Sequence, residues 1–176
     1  MLDENRIKEA QCNVRDYVND GRLKSVNARD PVVGRILVNN SKESLKVAKI
    51  LFENKHSDMW TIICSYYSMY YIANAVLYKF GHKVGEKNPH KVTIDSLIVY
   101  IRDKLKKAIL QDYEDALDEA LNLAGVRSDE LMEFFDDERK KRGRIQYNTS
   151  EQAKRSKAQT SLERAEKFIF ELEKLL

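Results

Sequence analysis

The chain has 176 residues, 43% of them hydrophobic and 34% charged, which suits one domain with a real core and is too apolar for a disordered chain. Its 31 basic and 28 acidic residues leave a net charge of +3. That balance excludes a strong overall field for nucleic acid, so any such affinity has to come from local clustering of charge.

Glycines number six and prolines two. They fall between periodic segments, the pattern of an all-helical protein with short breaks, and no strand pattern competes. A first helix is predicted over Glu4 to Asn19, with Ile7, Ala10, Val14 and Val18 on one face and Gly21 after its end. Residues 21–38 form an irregular connection, so the chain divides into an N-terminal part, 1–38, and a helical part, 39–176, within one domain. A second helix is predicted from Asn40 or Ser41 to about Asn54, where Asn40 with Glu43 can cap the first backbone N–H groups.

The third helix, Ser57 to Phe80, starts on a Ser-Asp pair and stops at Gly81. Trp60, Ile63, Cys64, Tyr67 and Tyr71 line one side and Ile62, Tyr66, Met69, Ala73 and Val76 the other, so neighbours should surround it. Met59 to Tyr78 has the length of a membrane span without a charge, but its tyrosines sit in the middle and not at the two interfaces, so burial in protein is expected and no membrane. A polar loop to Lys91 follows. Ile94, Leu97, Ile98, Ile101, Leu105, Ile109, Ala116, Leu117, Ala120 and Leu121 then continue at helical spacing, as one bent helix or two. Ser128 and Asp129 open a further helix. Thr149 with Gln152 caps a last one, in which Ala158, Leu162, Ala165, Ile169, Leu172 and Leu176 form a seam that fits either the chain's own core or a second subunit.

Little in the chain points to catalysis or a cofactor. Cys12 and Cys64 are the two cysteines, far apart, which suits a reducing, cytoplasmic setting. The N-terminal "MLDENRIKEA" lacks the apolar core of a secretory signal. His56, His82 and His90 have no metal-ligand spacing, and no glycine-rich phosphate loop is present, so no metal and no cofactor are expected. The carboxylates of "DYEDALDEALN" read as a solvated helix face.

The stretch "ERKKRGRIQYN", Glu138 to Asn148, is different: five basic side chains fall in the six positions Arg139 to Arg144. Two readings stay open. Basic residues offset the partial negative charge of a helix C-terminus. Alternatively Arg139, Arg142 and Arg144 direct guanidinium groups at a phosphate, with Tyr147 donating a hydrogen bond or stacking on a base.

"SYYSMYYIANAVLYKFG", then "NPHKVTIDSLIVYI", then "RKKRGRIQY" before a final amphipathic helix resembles, in this order, the HEPN domains, named for higher eukaryotes and prokaryotes nucleotide-binding. The resemblance covers Asn40 to the C-terminus. It implies an up-and-down bundle of about five core helices, to which the N-terminal helix is extra. It further implies a homodimer, nucleotide or RNA binding, and a small nucleotidyltransferase as partner in a toxin-antitoxin-like pair. Many such domains are metal-independent endoribonucleases that place an arginine four to six residues before a histidine. Here Arg142 stands at the arginine, Gly143 replaces the polar residue after it, and Tyr147 stands at the histidine; no histidine follows His90. A tyrosine of ordinary pKa near 10 is a poor base at neutral pH, so the catalytic candidates reduce to Arg142, Tyr147 and His90, the last expected in a polar loop. A purely structural interaction module is the remaining alternative.

Overall fold

A computed structural model of the chain describes residues 3–123 and 155–176. The helix expected from Ser128, the cap at Thr149 and the whole basic stretch lie outside the described residues.

Helix α1 (Glu4–Asn19) begins where Asp3 accepts a hydrogen bond of 2.8 Å from the Arg6 backbone N–H. Helix α2 (Pro31–Glu53) starts nine residues or more before the predicted Asn40. Asp30 accepts from the Val32 N–H at 2.8 Å, and Pro31 opens the first turn without an N–H of its own to satisfy. Ser41, expected near the cap, is instead fully buried, and its hydroxyl donates to the Ser68 carbonyl of the next helix at 2.7 Å. Gly34, Asn39 and Asn40 are therefore helix interior, carried by packing along the neighbour in spite of weak propensity.

Helix α3 (Asp58–Lys79) has Ser57 as its N-cap, accepting from Trp60 N–H, and ends at Phe80 before Gly81 at φ 90°. The all-helical pattern breaks at two three-residue strands, β1 (Leu23–Ser25) and β2 (His82–Val84), paired antiparallel with Leu23 opposite Val84. They are too short to show an alternating period. Gly85 continues the pairing, donating to the Arg22 carbonyl at 2.8 Å, and a Cβ there would meet that oxygen at 3.1 Å.

Helix α4 (Pro89–Tyr100) begins within the stretch expected to be loop. A 3-10 turn at Arg102–Lys104 and an extended Leu105 separate it from α5 (Lys107–Leu123), which settles two helices over one. Helix α6 (Arg155–Glu173) closes the described fold.

The architecture is an all-α bundle. Helix α3 is its axis and packs against α2, α4, α5 and α6, while α1 lies against α4. Tyr66, Met69, Ile72, Leu97, Ile98, Ile109, Tyr113, Phe168 and Leu172 are all essentially excluded from solvent and form one core. Neighbours do not surround α3 completely: Trp60 is 52% exposed and Tyr67 38%, with Cys64 and Tyr71 partly covered beside them. The final seam turns inward, with Ala158, Ala165, Ile169 and Leu172 buried against this chain's own core. Among the described residues no helix is long and apolar enough to cross a membrane.

Candidate functional site

The polar ties of helix α1 to the bundle centre on one carboxylate. Asp95 sits in the apolar run of α4 and is fully buried, a position a charge keeps only with partners. Three residues of α1 supply them: Arg6 Nη2 at 2.7 Å, the Tyr17 hydroxyl donating at 2.8 Å and the Asn13 amide donating at 3.0 Å. Arg6 Nε also donates to Glu114 of α5 at 2.8 Å. Burial works against the Arg6 charge, but the two carboxylates outweigh it and hold the guanidinium above its ordinary pKa. Burial, with the Asp95 charge and hydrogen bond, raises the Tyr17 phenol.

Beside this anchor, α1, α4 and α5 leave a cleft of about 430 Å³. Arg6 and Glu9 form one wall and His90 and Lys91 another. Gln111, Glu114, Asp115 and Asp118 form the third, over Ile94, Leu117 and Leu121. Helical spacing explains the third wall, because Gln111, Glu114, Asp115 and Asp118 recur every three or four residues and share a face of α5. The solvated-face reading of these carboxylates is thus corrected: Glu114 grips Arg6, while Asp112 and Asp115 pair with Arg164 and Lys167 of α6.

His90 is not in a loop. It is the second residue of α4, partly buried, with the Tyr66, Tyr67 and Tyr70 rings around it at centroid distances of 5.6, 5.9 and 4.8 Å. Its Nδ1 lies 2.6 Å from the Tyr66 hydroxyl. Burial, then the phenols of Tyr113, Tyr70 and Tyr67, hold Tyr66 well above the ordinary tyrosine range, so the phenol keeps its proton. The fully buried Tyr113 hydroxyl has no hydrogen-bond partner among the described residues, and its ring stands 5.8 Å from that of Tyr66. The Tyr66 hydroxyl either donates to His90 Nδ1 or accepts from it, according to which ring nitrogen carries the proton of the neutral imidazole.

Burial also lowers the His90 pKa from its ordinary value, which is about 6.5. As pH falls, the unfolded chain takes up this proton first. The stability due to neutral His90 is therefore complete above about pH 6.5 and is lost as pH falls through the lowered folded value. His82, stacked on Tyr100 at 3.7 Å, contributes with the same sign through burial and Arg29. His90→Gln is expected to flatten part of the fall in unfolding free energy below pH 6.5 and to leave the His82 part; urea melts across that range measure it. An unaltered slope would remove His90 from this account.

The sequence-derived site therefore divides. His90 lines the cleft, whereas Arg139, Arg142, Arg144 and Tyr147 lie outside the described residues. Arg6, Tyr66, Asp95, Glu114 and Asp118 were missed. Asp95 left a signal, a lone carboxylate inside "VTIDSLIVYI", since a charge in an apolar helix needs a buried partner. Among the described residues no group of three or more His, Cys, Asp or Glu side chains could hold a metal ion.

A family model for the HEPN domain matches residues 35–175. It starts within α2 and includes the whole stretch whose motifs carried the resemblance, while α1 and β1 precede it. No curated protein matches the chain.

Proposed function

The chain belongs to the HEPN domain family, and from that membership we propose that it is an RNA- or nucleotide-binding protein whose anion site is the basic stretch Arg139, Arg142, Arg144 and Tyr147. Family membership indicates a nucleotide- or RNA-related role in general. The observation that supports the narrower reading is the spacing of arginines around Gly143, with a tyrosine three residues after Arg144. A cytoplasmic homodimer paired with a small nucleotidyltransferase, in a toxin-antitoxin-like arrangement, completes the proposal. The α6 seam lends the dimer no support, because the chain's own core uses it.

Alanine replacements of the arginines test this reading. Arg142→Ala or Arg144→Ala is expected to weaken RNA or nucleotide binding by about 1–3 kcal/mol, while Lys140→Ala or Lys141→Ala mainly reduces the salt dependence. Binding is measured at a fixed, stated salt concentration. Equal small losses at all four positions would return the stretch to a helix terminus and leave an interaction module.

A second reading, a diverged metal-independent endoribonuclease, draws on His90, which burial keeps neutral near physiological pH. Cleavage of RNA by the purified chain in EDTA, lost in His90→Gln, would favour the enzyme.

A further inference from the structure

We propose that the outer face of the β1–β2 pair is a phosphate-binding surface for single-stranded RNA, on which Lys24 and Lys83 share one phosphodiester and Arg29 holds the next. The choice of RNA rests on the nucleotide-related reading above; the site itself rests on the sheet. Leu23 is buried, and Val84 packs with it among residues of α1 and α4. Alternation along each strand therefore turns Lys24 and Lys83 to the opposite side, where both are exposed.

The two lysines stand directly across from each other. The Val26 N–H donates to the Gly81 carbonyl and the Gly85 N–H to the Arg22 carbonyl, both at 2.8 Å. Counting inward from these in steps of two makes Lys24 and Lys83 a hydrogen-bonded pair, with Cα atoms about 5.5 Å apart. Like charges in that position weaken a sheet, and two strands of three residues gain little from pairing to set against it. Neither lysine has an ion pair or a side-chain hydrogen bond among the described residues. The fold keeps on this face a repulsion that a bound anion removes.

A third cation extends the pair into a row. Arg29 reaches back over the start of β2, its Nη2 lying 3.5 Å from the place a Cβ of Gly81 would take. Gly81 is two residues from Lys83, a step of about 7 Å along a strand. Arg29 is exposed and has no carboxylate partner among the described residues. The carboxylates near it in sequence are engaged or stand aside: Asp20 pairs with Arg22 at 2.5 Å, Asp30 caps α2, and Glu86 follows the last paired residue, Gly85. Two ammonium groups match the two free oxygens of one phosphodiester, and a forked guanidinium takes both oxygens of its neighbour. Lys24 and Arg29 precede the matched residues 35–175, so this face is completed by an addition to the family domain.

The test is fluorescence anisotropy of the full chain with a labelled oligouridylate of about twelve nucleotides, over a series of salt concentrations. Losing the two lysines from one strand of RNA lowers the slope of log affinity against log salt by about 1.4, the result expected for Lys24→Ala/Lys83→Ala. Adding Arg29→Ala is expected to bring the loss to about 2.1. Lys83→Glu supplies a readout that a merely structural role would not move, because it sets an opposite charge across from Lys24. It is expected to raise the melting temperature while weakening RNA binding about tenfold. A slope unchanged in the triple variant overturns the proposal, as does a Lys83→Glu chain that loses stability together with binding. Polyglutamate, or vesicles containing phosphatidylserine, bound as tightly as the oligonucleotide would assign an acidic protein or a membrane and overturn it too. A slope lowered by the sheet variants and untouched by Arg142→Ala overturns the basic-stretch reading and leaves the sheet, and the reverse overturns the sheet alone. No binding of oligouridylate by the unaltered chain overturns both.

Discussion

Asp95→Ala is expected to destabilise the protein by about 3–5 kcal/mol, the cost of removing one partner from a buried ion pair. The loss is large because three groups of α1 converge on this carboxylate: Arg6, Asn13 and the buried Tyr17. Without it the Tyr17 hydroxyl has no acceptor in the apolar α1–α4 contact, while Arg6 keeps only its bond to Glu114. Chemical denaturation measures the total, and amide exchange should show α1 losing protection before α3. An Arg6→Leu/Asp95→Leu double variant should recover much of the stability, since an apolar pair of similar volume often replaces a buried ion pair without loss. Stability unchanged in the single variant would mean that α1 is held by its apolar face alone, through Ala10 and Val14.

Phe168→Ala is the second large effect, also about 3–5 kcal/mol, the usual range for emptying a phenylalanine site in a core. Phe168 is fully buried, with its ring 5.2 Å from that of Tyr113, and it joins α6 to the α3–α5 core. Two residues on, Phe170 is 61% exposed, and its replacement by alanine should stay within about 0.5 kcal/mol. The pair is a matched control, one chemistry and one helix, with burial as the difference. Similar effects at both positions would show that the orientation of α6 is wrong.

Helix positions were legible where a cap and a period agreed. Both limits of α1 follow from an apolar stripe with Gly21 beyond it, and those of α3 from Ser57 and Gly81. Where local signals competed, the reading failed. Asn40 with Glu43 has the form of a cap, but Asp30-Pro31 supplies an earlier start, and the α2–α3 contact keeps the weak formers between them helical. The two strands escaped notice because each has three residues and its partner strand lies about sixty positions away. The inward face of α6 was read from spacing as Ala158, Leu162, Ala165, Ile169, Leu172 and Leu176. Phe168 was absent from that set although it fills the core.

The candidate site was less legible than the fold. His90 and the phenols around it are 20 or more residues apart in sequence, and Asp95 and Arg6 nearly ninety, so no local pattern relates them. By itself the sequence determined an all-α bundle, a tyrosine-rich central helix, the order of motifs that places it in the HEPN family, and the charge density of the basic stretch. These depend on periodicity, capping and composition, which act over a few residues. Tertiary structure alone decided that α1 closes a cleft with α4 and α5, that Asp112, Glu114 and Asp115 of α5 are paired, and that His90 sits among phenol rings. Each depends on which faces meet, and that is set by burial of apolar surface across the whole chain together with the need to pair every charge buried with it.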